Sequence, residues 1–333
     1  MRSLTIVLSG LAVGLGLVSS ALADPVTIRV GWATIPGSLG GYFLAKKDLL
    51  HHEGQSYAIA PIHFANSPVE LTALASGGVD IAELTYPPLG AAIENARMSD
   101  IRLIESQIET DVPGYANDQF MVLKTSPIQR VDDLKGKVVA TNGIGAATDI
   151  GLRYLMHRRG LEAQRDYTEV EVAFANMKAE LDTGKIAMGV IAPPFVSDPA
   201  LLDIARPLPR GQDEIFPTEV SWTARAGYIA EHRAALVDLI EDALRVTPWY
   251  EDPANHKEAV AIIAGLTKQN PAKLDYIFTR QDFYRNPDGR SDLAGIQRDL
   301  DMERDLGILK TPIDVKQYAD LTLADEAAAR LKK

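Results

Sequence analysis

The sequence predicts an α/β protein of two lobes, each a mostly parallel sheet flanked by helices. Short β-branched and apolar runs alternate with helical periodicity over residues 26–108, and the same alternation restarts at residue 120. Alternating strands and helices are typical of parallel sheets covered on both faces. From residue 231 onward the pattern is almost wholly helical, which predicts a helical carboxyl-terminal region packed on the first lobe.

The first lobe opens with a strand and a Gly/Pro-rich turn. The predicted strands are 26–32, 57–64, 79–84 and 101–108, and the predicted helices are 42–50, 68–76 and 88–96. A helix between successive strands provides the crossover that parallel pairing requires.

The second lobe repeats this order. Its predicted strands are 120–124, 137–141, 169–172 and 186–191, and its predicted helices are 131–134, 147–159 and 175–183. A further strand around Trp222 returns to the first lobe, and the last predicted helices are 234–246, 256–266, 271–278 and 291–306. We therefore expect a first lobe of residues 24–117 plus 219–333 and a second lobe of residues 118–218.

The amino terminus has the three parts of a secretory signal. Arg2 supplies a positive charge, residues 4–18 form an apolar run, and Ala21-Leu22-Ala23 gives a small-x-small cleavage pattern. A transmembrane anchor needs about 20 strongly apolar residues, and this run is shorter and rich in Gly and Ser. We expect residues 1–23 to be removed after Ala23, with no membrane insertion of the exported chain.

The composition excludes several classes of protein. The chain has no cysteine, which removes disulfides, thiolate metal sites and a cysteine nucleophile. Its formal net charge of −11 argues against a nucleic-acid or anionic-membrane partner. A small anion is still compatible with this charge, because backbone N–H groups at a helix start can hold an anion in an acidic protein.

Ser67-Pro68-Val69-Glu70 has the pattern of a capped helix start directly after a strand. Ser67 fits the N-cap, Pro68 the first helical position, and Glu70 completes a capping box. Such a cap needs no ligand. A helix start at the carboxyl end of a parallel strand, however, also directs free N–H groups and a positive dipole end into a cleft. Both interpretations stay open, and Ser67 is a candidate binding residue.

A second such turn lies at residues 142–148, Asn-Gly-Ile-Gly-Ala-Ala-Thr. Its glycines allow close approach of the backbone to a ligand, and Thr148 can present a hydroxyl. A dinucleotide fingerprint would need glycine where Thr148 stands, so no cofactor is predicted. Two helix starts, one in each lobe, favour a small polar or anionic ligand held between them.

Large apolar residues also follow predicted strands. Trp32, Tyr86 and Phe195 lie at strand ends, and Trp222 lies in the returning strand. Each alone could be an ordinary core aromatic. Their shared position at carboxyl strand ends, where open α/β sheets bind ligands, favours apolar walls for a cleft.

Patterns of catalysis and metal binding are absent from the sequence. The six histidines form no His-x-His or HExxH spacing, and there is no Gly-x-Ser-x-Gly elbow or Walker-type Gly-Lys-Thr. We expect neither catalytic residues nor a metal site.

The turns at the strand ends and helix starts of both predicted lobes, taken in their order along the chain, resemble the nitrate/sulfonate/taurine branch of ABC-transporter solute-binding proteins. This branch has the type II periplasmic binding fold. The stretches VDDLKGKVVAT at 131–141 and LASGGVDIAE at 74–83 are similar to type II binding proteins generally. The ending Gly307-Ile308-Leu309 with Asp314-Val315 resembles this branch more specifically.

The resemblance implies a periplasmic monomer that captures a small organic anion between its lobes and delivers it to an ABC permease with a cytoplasmic ATPase. The binding positions that it implies are Trp32, Pro36, Ser67, Thr85, Tyr86, Gly145, Ala146, Thr148, Pro194 and Phe195. Among the candidate ligands an aliphatic or aryl sulfonate is favoured, and aromatic acids, pyrimidines and nitrate are the alternatives. The alternatives are a ligand sensor and a pyrimidine-precursor binding protein or related enzyme.

The chain departs from its relatives at two positions. Many relatives have serine where Ala146 stands, and many have Trp-x-Pro-Tyr where this chain has Ala192-Pro193-Pro194-Phe195. Loss of the large ring leaves room for a ligand bulkier than taurine.

Overall fold

The computed structural model describes residues 24–33, 40–110, 112–210, 218–277, 282 and 284–332. The predicted secretory signal and Pro36 lie outside these residues. Within them, no helix has both the length and the apolar character needed to cross a membrane.

The first sheet has five strands in the order β2-β1-β3-β10-β4. Their bounds are β1 Val26–Trp32, β2 Tyr57–His63, β3 Ile81–Leu84, β4 Ile101–Glu109 and β10 Glu219–Arg225. Strands β1, β2 and β3 pair in parallel, whereas β10 is antiparallel to both β3 and β4. The sheet is therefore assembled from segments that lie before and after the second lobe in the chain.

The second sheet also has five strands, in the order β7-β6-β8-β5-β9. Their bounds are β5 Gln119–Leu123, β6 Val138–Thr141, β7 Thr168–Glu171, β8 Met188–Ile191 and β9 Ala205–Pro207. The pairs β6–β7 and β6–β8 are parallel, and β5 is antiparallel to β8 and β9. The chain enters this sheet after β4 and leaves it before β10, so the two-lobed α/β fold is confirmed.

Ten helices are described beside the two sheets. They are α1 Gly40–Ala45, α2 Ser67–Ala75, α3 Tyr86–Glu94, α4 Ala147–His157, α5 Phe174–Asp182, α6 Pro199–Ile204, α7 Ala226–Glu251, α8 His256–Thr267, α9 Leu293–Asp305 and α10 Thr322–Leu331. Helix α7 packs against β10, β2 and β4, and α10 packs against α7 and β4. The carboxyl-terminal helices thus cover the first sheet, as predicted.

One buried cluster joins the two lobes. Ala147 and Ile150 of α4 belong to the same apolar cluster as Leu89 of α3 and Leu300 of α9. Tyr86 at the start of α3 reaches across this contact, and its hydroxyl donates to the Ala147 carbonyl at 3.4 Å. The start of α4 is therefore held against the first lobe by packing as well as by the chain connections.

The predicted cap of α2 is wrong in its details. The N-cap is Asn66, whose Oδ1 accepts a hydrogen bond from the Val69 N–H at 3.2 Å, and Ser67 is the first helical residue. Glu70 does not close a capping box. It is fully buried, and its Oε2 accepts from the Glu83 N–H at 2.7 Å on the neighbouring strand. The Ser-x-x-Glu spacing was correct for a helix start but shifted by one residue.

Other boundaries differ from the prediction by a few residues, with some larger differences. Helix α6 and strand β9, which are only six and three residues long, and the ten-residue helix α10 were not predicted. The predicted helix at 271–278 is reduced to a single turn, Pro271–Lys273.

Candidate ligand-binding site

A cavity of about 1200 Å³ lies between the two lobes. Part of its lining comes from strand ends and the loops that follow them, and we call this the strand-end region. It comprises Ala33, His63, Ala65, Asn66, Ser67, Thr85, Ile108, Thr110, Asp118, Asn142, Ala146, Ala147, Thr148, Ile191, Ala192, Pro193, Thr218 and Val220. A cavity of this size, with apolar walls and a few convergent polar groups, has the properties of a small-molecule site.

The starts of α2 and α4 face each other across this cavity. Ser67 and Thr148 line it from the first and the second lobe. The lobes also touch beside it: a Cβ placed on Gly143 would lie 2.8 Å from Asn66 Nδ2, and one on Gly145 would lie 3.9 Å from Pro68 Cγ. Glycine at 143 therefore permits the close approach of the two helix starts.

Helix α4 begins without a side-chain cap. Its N-cap is Ala146, which has no hydroxyl or amide to offer. The preceding loop is held instead by carboxylates, because Gly145 N–H donates to Asp149 and Ile144 N–H donates to Glu171, each at 2.6 Å. The N–H groups of Ala147 and Thr148 have no acceptor among the described residues. They are free to bind an anion at the positive end of the helix dipole.

Two hydroxyls of the site already donate within the protein. Thr148 Oγ1 donates to Asn142 Oδ1 at 2.5 Å, and Ser67 Oγ donates to the Glu83 carbonyl at 2.9 Å. The Thr148 contact fixes the amide of Asn142, which itself lines the cavity. Asn142 is thereby positioned to present its N–H₂ group to a ligand.

Thr85 has a buried hydroxyl with no hydrogen-bond partner among the described residues. It is the N-cap of α3 but makes no side-chain cap bond, and it lines the cavity. Buried hydroxyls are usually paired, and leaving one unpaired costs about 1–3 kcal/mol. The Thr85 hydroxyl is therefore available to a ligand.

The floor of the strand-end region lies where the chain passes between lobes. Thr110 and Thr218 are linked by two hydrogen bonds, from Thr110 N–H to the Thr218 carbonyl and from Thr218 N–H to Thr110 Oγ1, both 2.9 Å. Asp118 lies just beyond, and its Oδ1 is buried without a partner. Burial raises the pKa of Asp118 to about 6, against the opposing charge of Arg210.

The rest of the lining, here called the helix region, comes from α5, α6, α8 and the segments beside them. Its members are Ala173, Phe174, Ala175, Lys178, Phe195, Asp198, Pro199, Ala200, Leu201, Ile263, Thr267, Gln269, Ala272, Lys273, Leu274, Asp275 and Tyr276. Phe174 and Phe195 stack with ring centroids 5.6 Å apart. This region combines an aromatic wall with two lysines and two aspartates.

Five of the residues predicted from the sequence line the cavity, namely Ser67, Thr85, Ala146, Thr148 and Phe195. Gly145 and Pro194 adjoin lining residues but are not among them. Pro194 follows Pro193 through a cis peptide bond, and Gly145 has a φ of 80°, a conformation that favours glycine.

Three of the predicted aromatic residues, Trp32, Tyr86 and Trp222, are not among the described residues that line the cavity. Trp222 is 1% exposed and packs on Phe43 in the apolar core. Tyr86 is 2% exposed in the interlobe cluster, and Trp32 is buried with its ring edge on His63. The two indoles face protein because the alternation of strand side chains directs them to the covered face of the sheet. The Tyr86 phenol, at the first position of α3, is directed instead into the contact with Ala147 of the second lobe.

Several lining residues were missed by the sequence analysis. Asn66 and Asn142 precede the two predicted helix starts, and that adjacency was a usable signal. His63 is the last residue of β2, although no histidine was predicted at a strand end. The wall at 263–276 had no local signal, because only the packing of α8 brings it to the cavity.

A possible metal cluster lies away from this site. His52, Asp238 and Glu241 each offer a ligand atom within 4.8 Å of the others. Arg330 already contacts Asp238 at 2.7 Å, and Arg245 contacts Glu241 at 2.6 Å. Two guanidinium groups compensate these carboxylates, so the cluster fits an ion-pair network on α7 better than a cation site.

A model of the NMT1-like family matches residues 22–264. No curated protein sequence matches the chain.

Solved structures similar to this chain include binding proteins and an enzyme. The periplasmic aliphatic sulphonate binding protein SsuA from Escherichia coli is 22% identical, with a TM-score of 0.63 over 89% of this chain and 97% of that chain. The nitrate-binding protein NrtA from Synechocystis PCC 6803 is 15% identical, with a TM-score of 0.68 over 92% and 89%. A variant of the desulfurization enzyme DSZB with bound biphenyl-2-sulfinic acid is 13% identical, with a TM-score of 0.63 over 91% and 99%. These similarities show the fold.

Proposed function

The chain belongs to the NMT1-like family, and from that premise we propose that it is the periplasmic solute-binding component of an ABC importer. In this proposal the interlobe cavity binds a small organic anion and the loaded protein delivers it to the permease. The single observation that carries the proposal is the meeting of two helix starts, at Ser67 and Thr148, in one cavity between two lobes.

The anionic group binds at the start of α4. The Ala147 and Thr148 N–H groups, the Asn142 amide and the Thr85 hydroxyl supply neutral donors there, and no lysine or arginine is among the described residues of the strand-end region. Such a set of neutral donors is well suited to an oxyanion, since the helix dipole adds a favourable potential. A sulfonate or carboxylate is the group we propose, and the stacked Phe174 and Phe195 face its organic body.

The lobes act as two bodies, residues 24–117 plus 219–333 and residues 118–218. The Thr110–Thr218 pair lies at the crossing and is where we place the hinge. Ligand contacts made by both lobes favour the closed form, because a ligand shifts a conformational equilibrium by its difference in affinity for the two states. The proposed protein is a monomer, exported after cleavage behind Ala23.

Binding without turnover is favoured over catalysis. The fold also supports an enzyme, as the similarity to DSZB shows. The chain has no cysteine for thiol chemistry. The donors proposed in the strand-end region are backbone N–H groups, an amide and hydroxyls, of which those of Ser67 and Thr148 already donate within the protein. These groups hold an anion but provide no activated nucleophile.

The test uses the full chain expressed with its own amino terminus and recovered from the periplasm. Intact mass checks cleavage after Ala23, and mass spectrometry of the denatured extract identifies the co-purified ligand. Thermal unfolding and calorimetry then follow a panel of alkyl sulfonates, aryl sulfonates, aromatic acids, pyrimidines and nitrate. We expect 1:1 binding and unchanged ligand, with about 2.7 kcal/mol of stabilisation at 100 times Kd. No stabilisation by any member, or conversion of a member to product, contradicts the proposal.

A further inference from the structure

The charged side chains of the cavity are unevenly placed. Two lysines and two aspartates line the helix region, at Lys178, Lys273, Asp198 and Asp275. The strand-end region has one acidic group among the described residues, Asp118, and no lysine or arginine. Just beyond this lining, Arg210 borders a small crevice beside Asp118 and the start of α4, so the proposed anion position has both a carboxylate and a guanidinium nearby.

Asp118 lies next to the proposed anion position. Besides lining the cavity, it borders a crevice of about 10 Å³ together with Ala147, Thr148, Thr218 and Arg210. That crevice has room for one water at most, so Asp118 and the first turn of α4 are neighbours. A ligand group held by the Thr148 N–H is therefore close to the Asp118 carboxylate.

The carboxylate of Asp118 has an unused acceptor. Its Oδ1 is buried and accepts no hydrogen bond from any described residue. Arg210 donates to the backbone carbonyl of Asp118 at 2.5 Å, and its guanidinium lies 4.6 Å from the centroid of the Phe120 ring. A buried, unpaired carboxylate oxygen is costly, and a donor arriving with the ligand removes that cost.

We propose that Asp118 is a specificity-determining residue that selects ligands carrying an ammonium or other N–H donor in addition to the anionic group. This inference rests on the proposed function and names the ligand class more narrowly. The α4 start binds the negative end of the ligand and Asp118 binds the N–H end. The ammonium group of the ligand then compensates the Asp118 carboxylate while the start of α4 stabilises the anionic group, which accounts for a carboxylate in an anion-binding cleft.

The test compares matched ligands that differ in a single group. The probes are 2-aminoethanesulfonate, 2-hydroxyethanesulfonate and propane-1-sulfonate, with a one-carbon-longer set and the corresponding carboxylates, measured by calorimetry at pH 7.5. We expect affinity to fall from amino to hydroxyl to methyl, with the amino member of the best-fitting set at least about 10-fold tighter than the methyl member. Equal affinities, or a preference for the methyl member, overturn the inference and leave anion binding intact.

Two variants assign the effect to Asp118. In Asp118→Asn the amino-to-methyl ratio is expected to fall to about 2-fold or less, since the amide has lost the charge that favours ammonium. Asp203→Asn is the matched control, because Asp203 is an exposed residue of α6 in the same lobe and does not line the cavity. Its ratio stays at the wild-type value.

The remaining outcomes are also decisive. If Asp118→Asn shows no cooperative thermal unfolding transition, Asp118→Ser is measured in its place. The order of affinities of the three ligands for the wild-type protein is measured without either variant. An unchanged ratio in a folded Asp118 variant overturns the role of that residue. If no probe binds and the wider panel of anions also fails, the proposed function itself is wrong and the inference falls with it.

Discussion

The amide of Asn66 in the first lobe lies directly against Gly143 in the second, so close that a Cβ at position 143 would be 2.8 Å from Asn66 Nδ2. Asn66 cannot simply turn away, because its Oδ1 caps α2 through the Val69 N–H. The gap between the helix starts is thus limited by the absence of a side chain at 143.

Gly143→Ala should separate the helix starts and weaken ligand binding. The added methyl either displaces the Asn66 cap or keeps the lobes slightly apart, and we expect a loss of affinity of about 3- to 10-fold, corresponding to about 1 kcal/mol. Gly227→Ala is the control, since a Cβ there meets nothing within 4 Å. Calorimetry measures both. Adding Asn66→Ser, which shortens the side chain but keeps a cap, should restore affinity, and failure to do so would place the effect elsewhere.

Thr148→Val removes the bond that fixes Asn142. Valine keeps the shape of the side chain but leaves the Asn142 amide free to rotate, so an oxyanion ligand should bind about 5- to 30-fold more weakly, a loss of roughly 1–2 kcal/mol. Thr148→Ser retains the hydroxyl and should bind within about 2-fold of wild type. Equal affinities of the wild type, Thr148→Val and Thr148→Ser would show that the Thr148–Asn142 pair does not contribute to ligand binding.

Thr85→Val should raise the stability of the ligand-free protein and lower its affinity for the ligand. The wild-type hydroxyl is buried and unpaired without ligand, so its replacement by an apolar isostere should stabilise the ligand-free protein by about 1 kcal/mol. The same change should weaken ligand binding by about 10-fold, because a donor is lost. Thermal unfolding with and without ligand measures both effects. A stabilised variant with unchanged affinity would show that Thr85 does not touch the ligand.

Glu303→Gln should stabilise the protein most at alkaline pH. Burial, with the nearby charges of Asp299 and Asp149, raises the pKa of Glu303 from 4.5 to about 8. A carboxyl that is harder to ionise in the folded state costs nothing at pH 4, and its cost grows as the pH rises from about 4.5 to about 8. The gain from the neutral amide should therefore approach the order of 3 kcal/mol at pH 8.5 and be small at pH 4.5.

Thermal unfolding at the two pH values checks this prediction. Glu231→Gln is the control, because the side chain of Glu231 is 75% exposed. A gain from Glu303→Gln that is the same at both pH values would mean that the carboxyl is not neutral in the folded protein near pH 7.

The helix starts at Ser67 and Ala147 could be found from the sequence because caps, glycines and prolines act locally. A Ser-Pro or Gly-x-Gly after a β-branched run determines backbone conformation within a few residues, whatever the rest of the chain does. The α/β order of both lobes followed for the same reason. The exact N-cap at Asn66 was missed because two neighbouring residues could both accept the bond.

Only the tertiary structure decided which way the aromatic side chains point and which residues form the wall of the cavity at 263–276. Trp222 could be placed on a strand from the sequence, but which face that strand buries depends on the helices that pack on it. The wall at 263–276 brings residues of the first lobe to a cavity that α5 and α6 of the second lobe also line, and Asp118 lies beside the start of α4, about 30 residues away in the chain. Such contacts are set by the packing of whole lobes, which leaves no trace in the local order of residues.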